Sequence, residues 1–98
     1  MLPIQNFSSG VLAEIIRRQP PSPARTRFAW QLAVGPALAR ATVVELSEGV
    51  LTVLAVDRRW LREIDRERAR ITTRMQELLG LQAVTRVETG RETGRSRE

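Results

Sequence analysis

The sequence predicts a small α+β domain with element order α–α–β–β–α–β, a three-stranded sheet covered by helices on one face. Three observations carry this. Two runs rich in Val, Leu and Thr flank a Gly-containing turn between residues 42 and 56. A long segment, 58–79, repeats apolar residues at helical spacing. Pro and Gly at 20–23, 35–36 and 80 cut the rest into short pieces. A lone three-stranded sheet must cover its apolar side, so the helices are expected on one face.

Taken in order, Ser8-Ser9 offers an N-cap, and Val11, Leu12, Ile15 and Ile16 recur at helical spacing, predicting a first helix that ends near Arg18. Pro20-Pro21-Ser22-Pro23 reads as a stiff connector, because each Pro disfavours helix in the residue before it. Phe28, Leu32 and Val34, with Trp30 and Gln31 between, support a second helix stopped by Gly35-Pro36. Leu38 and Ala39 extend it by one further turn. Thr42–Leu46 and Val50–Val56 then form an antiparallel hairpin across Ser47-Glu48-Gly49. The second strand is apolar on both faces, which places it centrally.

Asp57 is the expected N-cap of one long helix, Arg58 to Leu79, closed by Gly80. Its inward stripe is Trp60, Leu61, Ile64, Ile71, Met75, Leu78 and Leu79. Alternation over Leu81–Glu88 predicts a last strand. The domain is therefore expected over 1–88, with residues 89–98 a frayed polar tail.

The composition excludes several chemistries. The 98 residues contain no Cys and no His, which removes disulfides, thiol nucleophiles, imidazole bases and His- or Cys-based metal sites. No phosphate loop, dinucleotide fingerprint or nucleophile elbow is present. Glu63 and Asp65 stand on an Arg-rich exposed surface, which favours ordinary acidity over general acid duty. The expectation is a binding domain without catalytic residues, cofactor or metal. No apolar run approaches the roughly 20 residues of a membrane span, and the amino terminus lacks a signal-peptide pattern, so the cytoplasm is the expected compartment.

All sixteen basic residues are Arg, against eleven acids, for a net charge of +5. GC-rich codon usage and a preference for bidentate phosphate or carboxylate contacts both fit that choice. Arg58, Arg62, Arg66, Arg70 and Arg74 stand at strict four-residue intervals and form one ridge off the buried stripe, which Arg59 widens. Two readings stay open. Arg59–Glu63, Glu63–Arg66, Glu67–Arg70 and Arg74–Glu77 can pair into a solvated, self-neutralised face. Alternatively the ridge meets phosphates or an acidic protein surface, and Arg58 and Arg59 at a helix amino terminus favour such a partner. Arg68 falls within the apolar stripe and is expected to snorkel over the sheet edge. Trp30 and Trp60 are expected in core or half-core positions rather than as stacking platforms.

The run Trp30-Gln31-Leu32-Ala33-Val34-Gly35-Pro36-Ala37-Leu38-Ala39, then Gly49-Val50-Leu51-Thr52-Val53, then Trp60-Leu61-Arg62-Glu63-Ile64 follows a definite pattern. It resembles the W-x-x-x-V-G-x-x-L-A, G-x-L-x-V and W-x-x-x-[LI] signature of the DciA family of helicase-associated proteins. Leu78-Leu79-Gly80-Leu81 ahead of a strand is similar too, and the likeness spans about residues 8 to 89. It implies a KH-like domain, association with the replicative DNA helicase, and some affinity for single-stranded DNA. No G-x-x-G loop lies between helices, so nucleic acid would have to meet another surface. An RNA-binding KH-like protein and a pure protein-interaction domain are the alternatives.

Overall fold

A computed structural model of the chain describes residues 9–91. Its elements are α1 (Ser9–Arg18), α2 (Pro23–Val34), α3 (Pro36–Arg40), β1 (Thr42–Ser47), β2 (Val50–Ala55), α4 (Arg58–Arg66), α5 (Arg68–Leu79) and β3 (Arg86–Arg91). The α+β class holds: one mixed three-stranded sheet, order β1-β2-β3, with helices packed against it.

Local chemistry sets each boundary. The helix α1 turns Ala13 and Ile16 inward and leaves Ile15 exposed. Ser8, half of the expected N-cap, lies outside the described residues. Pro23 belongs to helix rather than to the connector. Ser22 is extended and its hydroxyl accepts the Arg25 amide at 3.0 Å, so Pro23 occupies the first turn, where a missing N–H costs nothing. Gly35, at φ 89°, ends α2 with its N–H on Gln31 O, and α3 is the extra turn that follows.

The hairpin loop is two residues. Glu48 (φ 50°) and Gly49 (φ 83°) both take positive φ, the pattern of a type I′ turn, and Ser47 pairs with Val50 as a strand residue. Gly49 O also accepts the Thr85 amide at 2.7 Å and its hydroxyl at 2.9 Å. A Cβ at Gly49 would sit 2.8 Å from Thr85 Oγ1. We therefore expect Gly49→Ala to cost about 1–3 kcal/mol, from the left-handed backbone and the clash together, read as a lowered urea midpoint.

The expected single long helix is two. It bends at Glu67 (φ −102°, ψ 11°), whose amide still reaches Glu63 O and Ile64 O. The cause lies in the stripe itself. Three and four residues after buried Ile64 stand Glu67 and Arg68, so the apolar line breaks there and resumes at Ile71. The bend lets α4 lie on β2 and β3 while α5 packs against α1 and α2.

The last strand starts five residues later than expected. The amides of Ala83 and Val84 turn back to Gly80 O, and Gln76 Nε2 donates to Val84 O, so 81–84 is a tethered turn. Val84 is fully buried from that turn, whereas Leu81 is 74% exposed. Thr89–Arg91, assigned to a frayed tail, instead complete β3, which pairs with β2 in parallel. Residues 92–98 of that tail lie outside the described residues.

The helix-side rows of the sheet are Leu46–Leu51–Val87, Val44–Val53–Thr89 and Thr42–Ala55–Arg91. Leu51, Val53 and Ala55 are fully buried there, with Trp30, Ile64, Met75, Leu78 and Val84 above them. The other face of the sheet, with Val43, Thr52 and Leu54, is uncovered by any described element. The strand β2 is thus central in pairing, although only one of its faces is buried.

Candidate nucleic-acid and partner interface

The arginine ridge falls into two electrostatically different halves, divided within α4 between Arg62 and Arg66. On the carboxyl side each cation is answered within one turn: Arg66–Glu63 at 2.8 Å, Arg70–Glu67 at 3.0 Å and Arg74–Glu77 at 3.2 Å. These are exposed i,i+3 pairs worth little to stability, and they leave little field for a partner. Arg74 and Arg70 also line a groove floored by Ala33, Leu38 and Ile71, where Glu63, Glu67 and Glu77 balance them.

On the amino side the arginines have no acidic partner among the described residues. Arg58, Arg59 and Arg62 are exposed and form no ion pair. Glu63, one turn from Arg59, is taken by Arg66. Arg59 instead lies over the Trp60 ring, its Cζ 5.9 Å from the centroid. Asp57 is the acid in that turn, and its Oδ1 caps the helix by accepting the Trp60 amide at 3.1 Å. Two cations in the first turn oppose the helix dipole, so an anion bound there would be favoured twice. Trp60 is half-buried and Trp30 almost wholly buried, in keeping with core and half-core positions.

Two further arginines join this end of the molecule. Asp65 Oδ1 accepts from Thr89 Oγ1 at 3.1 Å, which aligns α4 with β3, and the two run antiparallel. Two residues onward in β3 and about one turn back in α4, Arg91 and Arg62 fall at the same level. Ala41 O accepts the Val56 amide at 3.0 Å, so the backbone at the end of α3, where Arg40 stands, meets the turn that leads into α4. Neither Arg40 nor Arg91 forms an ion pair among the described residues, whereas on α1 Arg17 and Arg18 share Glu14. Their hydrogen bonds, Arg17's foremost, hold the Glu14 carboxyl below its ordinary range.

Sequence reasoning missed Arg91 because Gly90 and the polar residues around it read as a tail. The signal was present: Val87 and Thr89 continue a period of two through Arg91. Arg40 carried no sequence signal beyond its charge.

Arg68 behaves as the snorkelling reading expects. Its Nη1 donates to Val87 O at 2.7 Å, and its Nη2 to Thr89 Oγ1 and Asp65 Oδ1, each at 2.9 Å. Among the described residues no group of three or more acids is placed to hold a metal ion, and no helix is long and apolar enough to cross a membrane.

The fold is a compact α+β one, and among the described residues its arginines without an acidic partner include three at the start of α4. A family model, Dna[CI] antecedent, DciA, matches residues 5–89, and the chain belongs to that family. Membership implies a role related to helicase loading in DNA replication. A search of curated proteins returned no match.

Proposed function

We propose that this chain is a non-enzymatic, KH-like module that associates with the replicative DNA helicase and binds single-stranded DNA through Arg58, Arg59 and Arg62, with Arg40 and Arg91 beside them. The observation that carries this is the division of the ridge: Arg58, Arg59 and Arg62 hold no acid, while Arg66, Arg70 and Arg74 are each paired. Cations without partners are those that release counterions when they meet phosphate. Arg66, Arg70 and Arg74 serve the surface of the fold, not the contact.

The test is a titration of fluorescent single-stranded DNA and RNA at two salt concentrations, beside a pull-down with the cognate helicase. The reading expects DNA affinity that falls steeply with salt, and helicase retained on the chain. RNA binding without helicase retention would favour the general RNA-binding alternative. Helicase retention with no nucleic-acid affinity at either salt would leave a pure protein-interaction domain.

A further inference from the structure

The two edges of the sheet are finished differently. The register fixes which backbone groups face outward. Ala41 O receives the Val56 amide, so Val43, Glu45 and Ser47 point their N–H and C=O groups at β2, whereas Val44 and Leu46 point theirs away. In β3 the Arg86 amide turns toward Gly49 O, so Val87 and Thr89 face outward. At that edge Arg68 occupies Val87 O, and its link through Thr89 and Asp65 covers the strand. No described group occupies the outward N–H and C=O of Val44 and Leu46. The strand β1 carries neither proline nor bulge, and its one charged residue is Glu45.

A groove runs along this open edge, between β1 and the Pro21–Thr26 segment, lined by Pro21, Pro23, Arg25, Val44, Glu45 and Leu46. Arg25 is held there by the carboxyl end of α1. Its Nη1 donates to Gln19 O at 3.1 Å and Ile16 O at 3.4 Å. Its Nε is buried and has no partner, and its Nη2 makes no hydrogen bond. Nη2 is the nitrogen left to donate to a carboxylate brought into the groove, and Nε beside it is a donor whose charge such a carboxylate would offset.

We infer that β1 is a docking edge for an extended segment of a partner protein, added as a fourth strand, with apolar side chains in the groove and a carboxylate on Arg25. The open edge supplies main-chain hydrogen bonds, and the guanidinium supplies the charge that selects the segment. A second copy of this chain is the poorer occupant, because each carries a net +5. Glu45 faces the same groove and disfavours a segment that is acidic throughout, so the carboxylate belongs near one end.

The test uses the full chain, isotope-labelled, titrated with a short peptide alternating Val and Thr and ending in Glu-Glu. Amide signals of Val44 and Leu46 and the Arg25 Nε–H signal should shift together. A peptide ending in Gln-Gln should bind about tenfold more weakly, and Arg25→Gln should abolish that difference. Arg25 also caps α1, so a second arm leaves the protein untouched: the Glu-Glu peptide N-methylated at alternate residues should lose binding. Equal binding of the methylated peptide, equal binding of the Gln-Gln peptide, or shifts confined to other surfaces would each overturn the inference. So would β1 shifts that follow protein concentration alone, which would mark self-pairing. None of these readouts involves Arg58, Arg59 or Arg62, so this inference and the DNA contact stand or fall separately.

Discussion

Changing Arg58, Arg59 and Arg62 together to Glu is expected to lower affinity for single-stranded DNA by about 100-fold at low salt. Each lost contact is worth about 1 kcal/mol between unit charges ~4 Å apart in water, and three sum to roughly two orders of magnitude. The slope of log affinity against log salt should flatten by about 2, because single strands contribute about 0.7 per neutralised phosphate. The comparison that gives this meaning keeps net charge constant. Removing the pair Glu67–Arg70, or Arg74–Glu77, by paired Gln substitutions should change affinity by less than about twofold, since those charges already cancel locally. Equal losses in the two experiments would show that the paired arginines contribute as much as the unpaired ones and that the amino-terminal half of the ridge has no special place.

Trp30→Ala should remove most of the margin of stability. Trp30 is 2% exposed and belongs to the central cluster beneath the helices. Its Nε1 donates to Thr42 Oγ1 at 2.8 Å, and that hydroxyl donates in turn to Leu38 O at 2.8 Å. One side chain thus ties α2 to the entry of β1 through the end of α3. Truncation of a buried Trp costs about 3–5 kcal/mol, against a total of about 5–15 for a domain of ordinary stability. Trp30→Phe keeps much of the ring and loses the indole donor, and should cost about 1–2 kcal/mol. Urea unfolding followed by far-ultraviolet dichroism separates the two. A loss below about 1 kcal/mol for Trp30→Ala would mean that the cluster collapses freely around the gap.

The first four elements and the hairpin were legible in the sequence because their signals are local: Gly35-Pro36 as a stop, alternation through Val53, and Gly49 at a turn that demands positive φ. The bend was readable only from an absence, the missing apolar residue at 67 or 68, which regular periodicity elsewhere in the helix conceals. The strand β3 was displaced because Leu81–Val84 alternates like a strand, yet Gly80 captures its amides. An edge strand with one open face also needs few buried side chains, and Val87 serves here, so its composition resembles a tail. The ridge was visible as spacing, but which of its arginines carry an acid depended on the choice Glu63 makes between Arg59 and Arg66. Arg91 joined the site only through the parallel register.

That register has a kinetic consequence. Two residues separate the strands of the β1–β2 hairpin, whereas Gly49 and Thr85, where β2 meets the approach to β3, lie 36 positions apart. Closing a loop of that length costs about 3 kcal/mol in chain entropy beyond a constant. It is recovered only once α4 and α5 have formed and laid the chain back along the sheet. Strand β3 is thus the late-pairing, early-opening part of the molecule, and hydrogen exchange should reach its amides before those of the hairpin. When it opens, Arg68 loses its carbonyl and Arg91 leaves the cationic end at the same moment. Loss of one edge strand would therefore dismantle part of the proposed binding surface while the hairpin keeps its own pairing.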